Sequence, residues 1–177
     1  MKELSTKEVL AKVQKELKIK NINAAPKITA VHVNVGVGSY VTAGKDHEDV
    51  VRNLTTITGQ KPVVKKSRQA ISNFKLKINT PNGVSVTLRG QRMYDFINKL
   101  VNVVFPRIRD FRGISRKSFD GNGNYSIGIS EHTVFPEIKS EDVNKIHGLQ
   151  ITIKTSADKN EEALVLLEAF GFPFKKL

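Results

Sequence analysis

A chain of 177 residues can bury about 70% of the surface its unfolded form exposes, so one sizeable core is expected and two large domains are excluded. The absence of cysteine rules out disulfides, thiolate nucleophiles, iron–sulfur clusters and Cys-ligated zinc. Lys and Arg total 29 against 17 Asp and Glu, a formal net charge of +12, and self-repulsion of that size calls for an anionic partner, either nucleic acid or an anionic membrane surface.

The first helix is signalled by Ser5-Thr6-Lys7-Glu8, a capping box in which a Ser N-cap faces a Glu three residues on. Val9, Leu10, Val13 and Leu17 then recur on one side and Lys7, Lys12, Lys15 and Lys18 on the other, a basic face that either is solvated or contacts phosphate. Lys and Glu interrupt the apolar residues of this opening segment, unlike a secretion signal, so it is expected to stay on the mature protein. From Lys27 to Val35 the chain alternates, with Val31, Val33 and Val35 on one side of a strand and His32 and Asn34 on the other.

Gly36-Val37-Gly38 ends that strand. A dinucleotide site would need a third small residue where Val41 stands and a helix opening at once, so a glycine turn is the better reading. Asp46 to Thr58 reads as a second helix with Asp46 as N-cap and Gly59 just past its end. An extended basic stretch from Pro62 to Ile78 follows, broken near Ser67 to Ser72. Thr80-Pro81-Asn82-Gly83 then has the chemistry of a turn, leading into a strand in which Val84, Val86 and Leu88 alternate with Ser85 and Thr87.

Met93 to Val104 is a third helix, expected to close at Pro106 because Pro cannot continue it. Asp120 to Asn124 reads as a Gly-rich loop tip before a short strand from Tyr125 to Ile129. The last strand spans Gln150 to Thr155, and the last helix runs from Asp158 to Phe170 with Asp158 and Glu161 as its capping pattern and Gly171 closing it. Strands and helices mix without a βαβ repeat. The expected fold is therefore α+β: a single-domain sandwich covering the whole chain, its largely antiparallel sheet having helices packed on one face.

Residues 52–117 hold 15 Lys and Arg against two acids, Asp95 and Asp110, so this central third supplies the whole charge excess and the rest is close to neutral. Two acids are too few to gather the metal ions of a nuclease site, and each reads as a partner of neighbouring bases, Asp95 with Lys99 and Asp110 between Arg109 and Arg112. The four histidines show no ligand spacing and no serine lies in a nucleophile elbow, so no catalytic constellation is found and neither cofactor nor metal is expected. Recognition chemistry remains. Lys61, Lys65, Lys66, Arg68, Lys75 and Lys77 surround a hairpin and its loop, with Phe74 either stacking on a base or packing in the hairpin core. Arg107, Arg109, Arg112, Arg116 and Lys117 form a second cluster near Phe111 and Phe119, suited to bidentate phosphate contact. These bases lie mostly on strands and loops rather than on an amphipathic helix, which argues against a membrane, and no DNA-reading helix is apparent, which favours RNA.

Several ordered blocks carry a family resemblance: Val33-Asn34-Val35-Gly36-Val37-Gly38, Thr58-Gly59-Gln60-Lys61-Pro62 and the run Val86-Thr87-Leu88-Arg89-Gly90-Gln91-Arg92-Met93-Tyr94. Further on stand the run from Phe105 to Gly113, Ser118 to Tyr125, Phe135-Pro136-Glu137-Ile138 and Gly171-Phe172-Pro173-Phe174. From about residue 26 onward the chain resembles the bacterial-type large ribosomal subunit protein five family. The resemblance implies a non-enzymatic, cytoplasmic ribosomal protein that binds 5S ribosomal RNA, helps attach it in the central protuberance, and neighbours large-subunit RNA and proteins. The implied RNA-binding residues are Asn34, Gln60 and Thr87, with Lys61, Lys65 and Arg89 beside them. The family's loop towards peptidyl-site tRNA would hold Lys66, Arg68, Phe74, Lys75 and Lys77 here, and a bridge to a small-subunit head protein would use Arg109, Arg112 and Arg116.

Overall fold

The computed structural model describes residues 6–38, 40, 47–74, 76–138 and 146–175. Helices are α1 (Thr6–Glu16), α2 (Glu48–Thr58), α3 (Gly90–Lys99) and α4 (Asn160–Ala169). Strands are β1 (Ile28–Gly36), β2 (Val63–Lys66), β3 (Pro81–Leu88), β4 (Tyr125–Ile129) and β5 (Leu149–Thr155). The strands form one antiparallel five-stranded sheet in the order β2-β3-β1-β5-β4, an α+β fold.

The chain divides into two compact units. One comprises the described residues within Met1–Val31, Arg89–Ile127 and Thr152–Leu177. Here α1 packs on α4, burying Val9 and Val13 of the first and Ala163, Leu166 and Leu167 of the second, while Lys12 and Lys15 stay exposed. Ser5, the expected cap of α1, lies outside the described residues. The other unit comprises the described residues within His32–Leu88 and Gly128–Ile151. Its α2 packs against β3 and buries Val50, Leu54 and Ile57, each contributing about 1.5–3 kcal/mol by leaving water. Gly59 ends α2 in the left-handed conformation (φ 64°), its N–H bonding the Thr55 carbonyl at 2.8 Å.

Several boundaries differ from expectation. Asp46 lies outside the described residues, and α2 begins at Glu48 with His47 before it making no side-chain cap. Asp158 does not cap α4 either: the helix starts at Asn160, and Asn160 Oδ1 accepts the Gly123 N–H at 3.1 Å, so the polar side chain at the helix start serves the 120–124 loop instead. Pro106 does not close the third helix outright. After Lys99 the helix widens into a π turn, Leu100–Val104, in which the Phe105 N–H reaches the Leu100 carbonyl, and a last turn, Phe105–Arg107, contains the proline. The widening places Pro106 at the start of a new turn, where its missing N–H costs no helical bond.

The hairpin turn also moves. Pro81, Asn82 and Gly83 belong to β3, where Lys66 pairs with Pro81 and Lys65 with Gly83 across an irregularity in register. The left-handed residue is Asn79 (φ 63°) instead. Pro81 is tolerated as the first residue of the strand, and the Asn82 carbonyl accepts the Val37 N–H at 3.0 Å, which holds Asn82 in the sheet.

Candidate RNA-binding face

Strand alternation builds the face. Val33 and Val35 of β1 and Val84, Val86 and Leu88 of β3 are buried, whereas Asn34 is exposed and His32, Ser85 and Thr87 are half-buried on the opposite side. The β2–β3 register sets Val63 opposite Ser85 and Lys65 opposite Gly83. Directly opposed residues point the same way, so Val63, 64% exposed, and Lys65 extend the same open face.

Three of its polar residues are tied together. The Thr87 hydroxyl is 2.9 Å from His32 Nδ1, and Gln60 Nε2 donates to the Thr87 carbonyl at 3.3 Å. A carbonyl only accepts, which assigns the Gln60 amide nitrogen to that contact and turns its Oε1 to other partners. Gln60 is brought there by the end of α2, where the buried Thr58 hydroxyl donates to the Leu54 carbonyl at 2.7 Å and the Gln60 N–H donates back to that hydroxyl at 3.4 Å. Asn34 follows two residues after His32 on the same side of β1, close enough to Gly83 that a Cβ there would stand 3.8 Å from Asn34 Oδ1. Lys61, Lys65 and Arg89 are exposed, Arg89 in extended backbone just before α3. The sequence singled out Asn34, Gln60 and Thr87 but gave His32 no role. Alternation placed His32 on the face of Asn34, yet the partner strand's register was needed to bring Thr87 beside it.

The loop between β2 and β3 is braced from within. Ser67 N–H donates to the Thr80 carbonyl (2.9 Å), Asn79 N–H to the Ser67 carbonyl (3.1 Å), and Ile71 and Leu76 exchange backbone bonds at 3.0 and 3.1 Å. Lys66, Arg68 and Lys77 are exposed on it, and Lys75 lies outside the described residues. Phe74 is 75% exposed, with Ile71 and Ile78 also exposed, so packing in a hairpin core is excluded for this ring. Truncating it therefore removes no buried surface: Phe74→Ala is expected to leave the thermal midpoint within about 1 °C of wild type, whereas Phe105→Ala, emptying a buried site, should cost about 3–5 kcal/mol. Thermal unfolding of both variants checks the contrast.

In the second basic cluster Arg109, Arg112 and Arg116 are all exposed, and Arg116 also makes surface bonds to Glu168 Oε1 at 2.9 Å and the Lys175 carbonyl at 3.2 Å. Phe111 and Phe119 are half-buried, each with a ring packed on a buried aromatic neighbour. Phe111 stacks on Phe105 at 5.3 Å between centroids, and Phe119 packs on Tyr125 at 4.7 Å, because the apolar residues around them offer more burial than solvent does. Asp95 accepts a hydrogen bond from Gln91 at 2.9 Å. Among the described residues no group of three or more His, Asp or Glu is placed to hold a metal ion.

Two family profiles match the chain: the family described as Ribosomal protein L5 over residues 21–77, and the profile for the C-terminus of that ribosomal protein family over residues 81–174. Among similar proteins, the large ribosomal subunit protein uL5 of Halothermothrix orenii is 50% identical over 169 residues, covering 96% of this chain and 94% of its own. The uL5 of Chloroflexus aurantiacus is 48% identical over 175 residues, covering 99% and 97%. That of Psychrobacter arcticus is 47% identical over 175 residues, covering 99% and 98%.

Proposed function

Because the chain belongs to the ribosomal protein L5 family, a structural and non-enzymatic family of the large ribosomal subunit, we propose that its open sheet face binds 5S ribosomal RNA and helps seat it in the central protuberance. In the same reading the protein works in the cytoplasm, the segment 66–83 with Lys66, Arg68, Phe74, Lys75 and Lys77 meets peptidyl-site tRNA, and the segment carrying Arg109, Arg112 and Arg116 meets the head of the small subunit. Arg116, exposed and paired at the surface with Glu168, belongs to the same segment.

The observation that carries the reading is the gathering of exposed Asn34 and half-buried Gln60 and Thr87 on one polar sheet face with exposed lysines at its margin. An A-form RNA helix presents a wide, shallow minor groove lined by 2′-hydroxyls, and a flat face of short polar side chains meets it without having to insert. Val63 suits the apolar side of a ribose. Lys61, Lys65, Lys66 and Arg89 then neutralise flanking phosphates, and with about four such contacts affinity falls on the order of a hundredfold between 50 and 200 mM salt.

Gel-shift titration tests this. The expected result is tighter binding of 5S ribosomal RNA than of an unrelated structured RNA of equal length at moderate salt, with both RNAs left intact in magnesium. Asn34→Ala should weaken the complex by about three- to tenfold, the worth of a hydrogen bond made only to RNA, and Gln60→Ala by at least as much, because it also removes the bond that braces the Thr87 carbonyl, with circular dichroism unchanged in both. Equal affinity for the two RNAs overturns specific recognition, unchanged affinity in both variants overturns the assignment of the face, and RNA cleavage overturns a binding-only role.

A further inference from the structure

We propose that His32 is a positioning residue for RNA recognition, holding the Thr87 hydroxyl in the one orientation from which it meets a ribose 2′-hydroxyl. The inference rests on the reading of the open face as the 5S RNA site. It concerns a residue that is not itself among those assigned to the RNA.

The side chain of threonine is β-branched, so rotation about χ1 exchanges a hydroxyl and a methyl group of nearly equal size. On a half-exposed strand position, packing alone discriminates poorly between the two. At Thr87 the choice is made by a hydrogen bond: Oγ1 lies 2.9 Å from His32 Nδ1 on the neighbouring strand. The backbone beneath is held as well, because the Thr87 carbonyl accepts from Gln60 Nε2 at 3.3 Å. Thr87 is thus fixed at two points, from β1 through its side chain and from the end of α2 through its main chain.

Hydrogen-bond capacity then indicates what the fixed hydroxyl can recognise. A hydroxyl has one proton and two lone pairs. If it donates to the ring, two lone pairs remain for a partner; if the ring donates to it, one lone pair and its own proton remain. A 2′-hydroxyl both donates and accepts, so it satisfies Thr87 in either case, and it is the group that an RNA minor groove displays to a flat face. Losing the His32 contact frees the rotamer, and the RNA must then bear the cost of ordering it.

Full-length protein and 5S ribosomal RNA provide the test, read by filter binding. His32→Phe keeps a ring without a nitrogen, and His32→Asn keeps a polar atom where Nδ1 stood. His32→Phe is expected to weaken binding about fivefold, Thr87→Val by a similar factor, and the double variant no further than Thr87→Val alone. His32→Asn should stay within about twofold of wild type, a rescue that ring packing would not produce. In 5S RNA carrying single 2′-deoxy substitutions, the position that weakens wild type should have no effect on Thr87→Val and little on His32→Phe. His32→Ala serves as a second variant should the phenylalanine disturb the strand. Wild-type affinity in His32→Phe, multiplying losses in the double variant, or absent rescue by asparagine each overturn the proposal. If wild type itself fails to prefer 5S RNA, the function falls; if it prefers 5S RNA and His32 proves silent, only this inference falls.

Discussion

Lowering the pH from 7 to 4 is expected to remove about 3 kcal/mol of stability through one histidine, and His147→Phe should abolish that share of the loss. His147 is 6% exposed and lies face to face with the fully buried His132, ring centroids 3.9 Å apart and planes 6° from parallel, while Tyr40 meets His147 edge-on. Burial, and then the charge His132 would carry, lower the His147 pKa to about 4 from its ordinary 6.5. Burial lowers that of His132 too. Both rings are neutral in the folded protein at neutral pH, whereas the unfolded chain takes up a proton near its ordinary pKa of 6.5. Stability is therefore undiminished above that value and is lost as pH falls towards 4, because protons bind the unfolded state more tightly. A shift of that size corresponds to about 3 kcal/mol, a substantial part of the roughly 5–15 kcal/mol that holds a typical domain together. His147→Phe is a suitable probe because, among the described residues, neither ring nitrogen of His147 has a hydrogen-bond partner, and its backbone N–H still reaches His132 Nδ1 at 3.3 Å. Urea unfolding of both proteins at pH 7 and 4.5 makes the comparison. An equal loss in the two would show that His147 is not responsible. The Asp120 carboxyl acts in a lower window, since hydrogen bonds, chiefly from the Asn124 side chain, hold its pKa below the ordinary carboxylate value.

Gly123→Ala is expected to cost about 3 kcal/mol or more, lowering the thermal midpoint by roughly 6–12 °C. Two effects combine. Gly123 has φ 74°, a conformation an L-residue adopts at a cost of about 1–2 kcal/mol, and an added Cβ would stand 2.6 Å from the Ala157 carbonyl oxygen, so backbone would have to move. The same residue ties the 120–124 loop to its surroundings: its N–H bonds Asn160 Oδ1 at 3.1 Å and its carbonyl accepts the buried Thr155 hydroxyl at 2.8 Å. Gly121→Ala is the control. Gly121 has φ 93° with nothing within 4 Å of an added Cβ, so only the conformational cost of about 1–2 kcal/mol applies. Similar midpoints for the two variants would show that close approach to Ala157 is not what demands glycine at position 123.

Much of the architecture was legible because it is local. Alternation at Val31–Val35 and Val84–Leu88 correctly divided buried from open sides, and the glycines after α2 and α4 marked both helix ends. The boundaries that moved did so where a distant partner outweighed local preference. Asn82 looks like a turn residue until its carbonyl is claimed by Val37, and Asn160 became the first residue of α4 with its side chain occupied by Gly123. Aromatic residues divided in the same way. Phe74, Phe111 and Phe119 all stand among basic residues in the sequence, but only Phe74 remains outside, because Phe105, Tyr125 and Phe174 offer the other two a packed environment.

The sequence by itself determined the α+β class, the concentration of positive charge in residues 52–117, the family, and the identity of Asn34, Gln60 and Thr87 as candidates, since composition, period and motif order are properties of the chain read in one dimension. Only the tertiary structure decided that Thr87 bonds His32, 55 residues earlier, that His132 stacks on His147, and that Arg116 pairs with Glu168. Periodicity tells a side chain which face of its own element it leaves from. What it meets there depends on strand register and on the packing of segments far apart in the chain, and those are settled by the whole core at once.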